Sequence, residues 1–166
     1  MKNNVLRALS VAIVFPLVSG LLWAHHSNAV IDKDNATTVT GTVTKLVFAN
    51  PHPAFYFDAD VKGSQGNVVN WFAISGGGVL ALRKVGWTNK TLKPGDRILV
   101  QGHQIKDGRP LMGSRRLYRC SGEEVQLSYD ESSEYMTRVI WEPIDPERVR
   151  EMCAKGTLEG TIKPKL

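Results

Sequence analysis

Residues 37–61 read TTVTGTVTKLVFANPHPAFYFDADV, and this stretch decides the fold. Two runs of β-branched and aromatic residues flank a turn at residues 50–53, and such runs are typical of strands in a half-buried sheet. Within the first run the apolar positions change parity near Lys45, which indicates a β-bulge, and Gly41 removes side-chain crowding where a strand bends. We therefore predict a long, bent first strand over residues 38–48, of the kind that a small closed barrel requires.

Two further strands follow the turn. Residues 55–61 alternate apolar and polar side chains, which predicts a half-buried second strand. Residues 62–67 are rich in turn-forming residues and predict a hairpin loop. Residues 68–74 are apolar on both faces, so we expect a third strand that is covered on both sides.

A short helix separates these three strands from two more. Residues 79–85 place apolar side chains at helical spacing, and Gly86 stands just beyond them as a left-handed stop. A fourth strand is predicted over residues 98–103 and a fifth within residues 111–118, after an Asp-Gly turn. Three strands, one helix and two strands form the order of the five-stranded Greek-key barrel called the OB-fold.

We therefore predict an all-β domain with one short helix, an OB-like barrel of order β-β-β-α-β-β, over residues 37–119. A small open sandwich is the alternative architecture. Residues 120–166 form a C-terminal extension, acidic and serine-rich near its start. In this extension Asp145 and Pro146 predict the start of a short helix, and Gly156 lies beyond its end.

The two cysteines of the chain are expected to pair. Cys153 shares one face of the predicted extension helix with Val149 and Met152, so it reaches Cys120 if that helix docks on the barrel. An oxidising compartment would allow this disulfide to form and persist. Residues 139–141 are a candidate edge strand, and residues 157–166 are expected to be frayed.

The N-terminal segment has the composition of a secretory signal peptide over residues 1–24. Two basic residues precede a mostly apolar run, residues 8–23, which is shorter than a membrane-spanning helix. The end of the apolar run favours cleavage after Ala24, small-residue chemistry favours Ala29, and an uncleaved anchor is the alternative. We expect a periplasmic protein with an extended lead-in over residues 25–36 and no stable membrane span after cleavage.

The net charge of +5 overstates how basic the exported chain would be. The first 24 residues hold two of the 21 basic residues and none of the 16 acidic ones, so 19 basic residues remain against 16 acidic. So small an excess argues against nucleic acid as a partner. We therefore expect the partner to be an unidentified periplasmic protein or a small ligand.

Six short motifs occur in order along the chain: Ala24-His25-His26-Ser27, Thr40-Gly41-Thr42-Val43-Thr44-Lys45, Asn50-Pro51-His52, Asn70-Trp71, Gly86-Trp87 and Leu92-Lys93-Pro94-Gly95-Asp96. As an ordered set they resemble the 6152-type family, a bacterial exported family of domains of unknown function. The resemblance covers about residues 24–118 and implies a small periplasmic β-barrel domain without an established activity. The triple glycine at residues 76–78 replaces an expected Ser-Pro helix start. The tail after Cys120 extends past the usual end of the family, so the resemblance implies nothing about it.

The sharpest hypothesis for a site is copper or zinc bound by His25, His26 and His52, with His103 as a further candidate. Imidazole suits both metals, and an N-terminal histidine chelates through its amine and its ring. The alternative is that His25 and His26 lie in a mobile or discarded segment while His52 caps a turn. His103, on a strand face, is expected at the surface or at the edge of the core.

Aromatic residues offer a second candidate site. Tyr56, Trp71 and Trp87, together with Phe72, would form a ligand surface for a sugar or a peptide, because OB-like barrels bind oligomers across strands two and three. The alternative is that most of these side chains fill the barrel. The sequence contains no Ser-His-Asp or Cys-His set with usable context. We therefore expect a non-enzymatic binding or interaction module, with a periplasmic copper- or zinc-binding protein as the alternative and no other cofactor.

Overall fold

The computed structural model describes residues 31–32, 34, 36–59, 68–127, 141–156 and 158–162. The predicted signal peptide and its cleavage points, most of the lead-in and the loop at residues 62–67 lie outside these ranges. The described residues form the following elements: β1 (Ala36–Val47), β2 (Ala54–Ala59), β3 (Val69–Ser75), α1 (Val79–Lys84), β4 (Arg97–Gln104), β5 (Leu111–Arg119), α2 (Pro146–Lys155) and β6 (Leu158–Ile162). None of the described helices is long and apolar enough to span a membrane.

Strand β1 closes a barrel because it pairs along both of its edges. Residues 37–42 pair antiparallel with β4, and residues 41–47 pair antiparallel with β2. β3 pairs antiparallel with β2 and parallel with β5, and β5 pairs antiparallel with β4. The strands therefore run β1-β2-β3-β5-β4 and return to β1, with α1 between β3 and β4. This order confirms the predicted OB-like barrel.

The bend of β1 has the two causes that the sequence predicts. The register between β1 and β2 shifts between Val43 and Lys45, which confirms a bulge at the predicted place. A Cβ atom on Gly41 would overlap the backbone oxygen of Asp58, so the two strands approach more closely here than any side chain allows. The bend therefore depends on glycine at position 41.

The core fills the barrel with alternate side chains of its strands, and α1 covers one end. Leu82 of α1 is fully buried in that core, whereas Leu80 on the opposite face is 72 % exposed. Gly86 follows with a φ of 88°, as the predicted left-handed stop. The prediction that β3 is covered on both sides is only partly right, because Trp71 is buried but its neighbour Asn70 is exposed.

The chain directly after β5 also belongs to the barrel core. Val125 and Leu127 pack in the main core cluster, and the backbone N–H of Val125 donates to the oxygen of Leu117 over 2.7 Å. β5 pairs with β3 only through residues 111–114, so this segment runs beside the remaining part of β5. Packing of the core thus continues past the predicted start of the extension at residue 120.

Helix α2 covers the outer face of the barrel at β4 and β1. Val149 and Met152 pack against Leu99 and Tyr118 of the barrel in a second apolar cluster, to which Cys153 also belongs. Cys153 is joined to Cys120 by a disulfide, the predicted pair. The predicted cap is also present, since the Asp145 side chain accepts hydrogen bonds from the backbone N–H groups of Glu147 and Arg148.

The prediction of a frayed C-terminus is wrong for residues 158–162, whereas of the candidate edge strand at residues 139–141 the structure describes Trp141 alone. Residues 158–162 are not frayed but form β6, which pairs antiparallel with residues 36–39 of β1. β2 pairs with β1 only from Gly41 onward, so the first part of that β1 edge is open to another strand. Trp141 lies outside the described strands, because its indole packs against Ala36 and against the ring of His103 instead.

Candidate ligand-binding groove

The three predicted ligand-surface residues do not share a surface. Trp71 and Trp87 are 4 % and 3 % exposed and belong to the barrel core. Tyr56 is half-buried on the outer face of β2, opposite Phe72 of β3. Side chains alternate between the two faces of a strand, so Trp71, next to Phe72, points into the barrel. The joint surface is therefore corrected: only Tyr56 and Phe72 lie together outside.

Of the three histidines proposed as metal ligands, the structure describes His52 alone. Its side chain is exposed in the turn between β1 and β2, directly after Pro51, which a cis peptide bond joins to Asn50. His25 and His26 lie outside the described residues. Within the described part of the chain, no three His, Cys, Asp or Glu side chains converge as a metal site.

His103, the further metal candidate, is buried rather than placed at the surface. It is 1 % exposed, and its Nδ1 lies 2.9 Å from the backbone oxygen of Asp32. The indole of Trp141 meets its ring edge to face, with centroids 5.1 Å apart. Of the two expected positions, the surface is therefore excluded and the edge of the core remains, because Asp32 and Trp141 cover this face of β4. His103 does not meet His52 in a described metal site.

An open groove lies at the end of the barrel that α1 covers. It measures about 530 Å³ and is lined by Phe48, Arg83, Gly86, Trp87, Thr88 and Asn89. This volume lies within the range of about 300–1,000 Å³ that is usual for small-molecule sites. The residues come from three places in the sequence: the end of β1, the last turn of α1 and the loop after it.

The floor of the groove is aromatic and fixed in place. The rings of Phe48 and Trp87 stack with centroids 6.5 Å apart and planes inclined by 18°. The Trp87 Nε1–H donates to the backbone oxygen of Gln126 over 2.7 Å, which fixes the orientation of the indole. Gly86 adds room above this floor, since a Cβ atom there would meet no other atom within 4 Å.

The segment that contains α1 and the groove loop is basic. Residues 68–95 contain four basic residues, Arg83, Lys84, Lys90 and Lys93, and no acidic residue. The guanidinium carbon of Arg83 lies 6.0 Å from the centroid of the Phe48 ring, a cation–π distance. Arg83 forms no salt bridge with any carboxylate that the structure describes. Arg83 therefore supplies a positive charge at the groove.

The rim of the groove presents hydrogen-bond donors. The backbone N–H of Lys90 donates to the Thr88 hydroxyl oxygen over 3.1 Å, and the Thr88 N–H donates to the Thr91 hydroxyl oxygen over 2.8 Å. These bonds hold the loop in an ordered turn. The Thr88 oxygen accepts this bond from within the loop, which leaves the hydroxyl proton to be donated elsewhere.

A family model for a family of unknown function, DUF6152, matches residues 15–113, more than half of the chain. The chain belongs to the DUF6152 family. This confirms the resemblance inferred from the six motifs. Among curated proteins, none matches the sequence. All residues that line the groove lie inside the matched region, whereas α2, β6 and the disulfide lie beyond it.

Two motifs of this DUF6152 chain meet at the groove end of the barrel. Gly86-Trp87 lines the groove itself. Asn50-Pro51-His52 approaches the start of α1 so closely that a Cβ atom on Gly78 would lie 3.1 Å from the oxygen of Pro51. Gly78, where a Ser-Pro helix start was expected, therefore fits this close approach.

A third DUF6152 motif, residues 92–96, forms hydrogen bonds to β1 at its bend. The backbone N–H of Gly95 donates to the oxygen of Val43, and the N–H of Val43 donates to the oxygen of Asp96, each over 2.9 Å. The Asp96 carboxylate also accepts a hydrogen bond from Arg119 over 3.0 Å. The Lys-Pro-Gly-Asp turn thus has a structural role, and its acidic residue is already paired.

The outer face of β2 and β3 is the second candidate surface. Tyr56 and Phe72 have ring centroids 4.8 Å apart, and the Lys45 ammonium lies 6.0 Å from the Tyr56 ring. The Asn70 side-chain amide donates to the Asp58 carboxylate over 2.7 Å. The Asn70 amide and the Asp58 carboxylate are thus paired with each other, so they offer a ligand fewer free hydrogen-bonding groups than the groove does.

Sequence reasoning identified Trp87 but missed the other groove residues. In the sequence, Phe48 is only the last apolar position of the predicted first strand, and Arg83 is only a basic residue in the predicted helix. The one signal in the sequence is that residues 68–95, which contain Arg83 and Trp87, include no acidic residue. Only the barrel topology shows that residue 48 lies next to residues 83–89.

Proposed function

We propose that this DUF6152 chain is an exported, periplasmic, non-enzymatic binding module whose ligand occupies the groove at the α1 end of the barrel. The observation that carries the proposal is the groove itself, which is open, measures about 530 Å³ and has a fixed aromatic floor. Concave sites with apolar floors and a few polar groups are the usual form of small-molecule sites.

Two features support export. Residues 1–24 have the basic start and short apolar run of a signal peptide. Cys120 and Cys153 form a disulfide, and such bonds persist in oxidising compartments such as the periplasm. The two features agree, because a signal peptide would take the chain out of the reducing cytoplasm and a disulfide between α2 and the barrel persists only outside it.

The chemistry of the groove supports binding without turnover. Of its six lining residues, Arg83 alone is ionisable, and an arginine does not give up its proton in proteins. General acid–base catalysis requires a group such as histidine, a carboxylate or lysine that changes its protonation state. Aromatic rings in fixed positions, one cation and neutral hydrogen-bond donors are instead typical of a site that binds a ligand without converting it.

The test is ligand-observed NMR of the exported chain with two aromatic probes, 2-naphthol and 2-naphthoate. We expect at least one probe to bind, and Phe48→Ala to weaken binding about tenfold because the aromatic floor is lost. The matched control is Phe72→Ala, which removes the same side chain from the outer face of β3. Absence of binding by both probes, or a loss that follows Phe72 instead of Phe48, would overturn the proposal.

Copper or zinc binding is the second candidate function, and the exposure of His52 favours it. The ligands would be His25 and His26 from the mature N-terminus together with His52. Mass spectrometry of the exported protein tests this first, because a mature chain that begins at Val30 lacks two of the three ligands. A copper titration of the wild type and of His52→Ala follows, and equal affinities would refute the site.

A further inference from the structure

We propose that the ligand of the groove is an organic anion, an apolar and preferably aromatic body that carries a carboxylate. This inference rests on the proposed function, since it assigns a chemical class to the ligand of that same groove. It follows from three features of the lining: the position of the cation, the nature of the neutral polar groups and the distribution of charge around them.

Arg83 is positioned to bind a carboxylate beside the aromatic floor. Its guanidinium lies 6.0 Å from the Phe48 ring centroid. An arginine held against an aromatic face keeps the N–H groups at its planar edge for a bidentate acceptor. A carboxylate at that edge would place its attached apolar body over Phe48 and Trp87, whose rings stack at the bottom of the groove.

The neutral groups of the rim are suited to the same acceptor. The Thr88 hydroxyl oxygen already accepts from the Lys90 N–H, so its proton points to a different partner. Asn89 is exposed beside it, and its amide supplies two N–H donors. One cation and two neutral donors around an apolar floor fit an anion with an apolar body, because each polar contact donates to the ligand.

Among the residues that the structure describes, no carboxylate forms a salt bridge with Arg83. Residues 68–95 contain no aspartate or glutamate. The next carboxylate along the chain, Asp96, is bound by the Arg119 side chain over 3.0 Å and by the backbone N–H of Lys93 over 2.9 Å. A cationic ligand would therefore be repelled by the Arg83 guanidinium, whereas an anionic ligand would be attracted to it.

The required chemistry has two sources in a periplasm, a free organic acid and the C-terminal carboxylate of a peptide that ends in an apolar residue. Two pairs of probes separate them. The first pair is 2-naphthoate and 2-naphthamide, which have the same shape but differ in charge. The second pair is N-acetyl-Ala-Ala-Phe with a free carboxylate and the same peptide as its C-terminal amide.

Isothermal titration of the exported chain with these four probes is the test. We expect 2-naphthoate to bind about tenfold more tightly than 2-naphthamide, because hydrogen bonds to a charged group are stronger than neutral ones. Arg83→Gln should remove this difference and leave the amide affinity within about twofold, whereas Lys106→Gln, an exposed cation in the β4–β5 turn, should preserve it. Tight binding by the peptide acid but not by 2-naphthoate would identify a peptide terminus as the source.

Equal affinity for the acid and the amide of both pairs in the wild type would overturn the anion assignment while leaving the groove as a binding site. Persistence of the preference for the acid in Arg83→Gln would overturn the role of Arg83 and with it the argument for this ligand class. If none of the four probes binds, the groove is not a site for ligands of this size, and the proposed function fails together with the inference.

Discussion

The outer face of the barrel at β4 is covered by other parts of the chain, whereas the groove end at α1 is open. The β4 face is covered by α2, by Trp141 and by the lead-in at residues 31–32, and a disulfide secures the cover. The groove end is open, has aromatic residues at its floor and holds Arg83 beside them, without a salt bridge to any described carboxylate. Extra chain therefore covers one side of a small barrel, while the other side stays open.

The covered side shows how the extension stabilises the domain. Val149, Met152 and Cys153 of α2 pack on Leu99 and Tyr118, and apolar side chains of this size contribute about 1.5–3 kcal/mol each when fully buried. Directed hydrogen bonds accompany the packing, since the Arg116 Nε–H donates to the Trp141 oxygen over 2.9 Å. The extension is therefore part of the folded domain and not a loose tail.

A substitution that disrupts the barrel, which both regions share, should lower the free energy of unfolding the most. We expect Gly41→Ala to lower the free energy of unfolding by about 4 kcal/mol, because its Cβ atom would overlap the backbone of Asp58 where β1 joins β2. Gly113→Ala is the matched control, since its Cβ atom would lie 3.6 Å from Ile31, an ordinary contact, and should change stability by only about 0.5 kcal/mol. Urea unfolding measures both, and equal effects would contradict the closure of the barrel by β1.

Removing the disulfide should separate the two regions. Cys120 and Cys153 are 33 residues apart, so replacing both with alanine should lower the free energy of unfolding by about 3.7 kcal/mol in the chain-entropy model. Because the bond lies on the covered side, the affinity for 2-naphthoate should stay within about twofold of the wild-type value. Thermal unfolding and titration of the same sample test both statements, and loss of affinity in a folded variant would show that the regions are coupled.

Alkaline pH should weaken the covered side by a smaller amount. The Tyr118 hydroxyl accepts a hydrogen bond from the Ile144 N–H over 3.0 Å, and burial raises the pKa of Tyr118 above its usual value of 10.0. A raised folded pKa means that this contribution is complete below about pH 10 and is lost as the pH rises through the folded value. Tyr118→Phe should cost about 1 kcal/mol at neutral pH, since the Ile144 N–H loses its acceptor.

Urea unfolding of the wild type and Tyr118→Phe from about pH 8 to about pH 11 checks this dependence. The wild type should lose more stability than the variant at the alkaline end, because only the wild type has a phenol that ionises at this position. Parallel curves for the two proteins would show that Tyr118 stays neutral or is exposed in the folded state.

The barrel was predictable because its signals are local. The bulge at Lys45, the alternation of residues 55–59 and the helix stop at Gly86 each follow from residue types within a few positions. The order of strands and helix then leaves few topologies open. The Cys120–Cys153 pair was predictable for a similar reason, since the face of α2 that carries Cys153 is apolar in the sequence.

What the sequence left open depends on contacts between distant segments. β6 forms because β2 leaves the first part of one β1 edge unpaired, and no property of residues 158–162 alone indicates this. His103 is buried because Asp32 and Trp141, both far away in the chain, cover it. The groove has the same origin, as Phe48 and Arg83 become neighbours only when α1 covers the end of the closed barrel.

The most direct test of this account is to map where a ligand binds, by following backbone amide chemical shifts of the exported chain as 2-naphthoate is added. We predict that the largest shifts fall on residues 83–89, the groove segment, and that residues 146–155 of α2 show none above noise. The largest shifts on α2, or on β2 and β3 around Tyr56 and Phe72, would contradict the assignment of the open end of the barrel as the binding site.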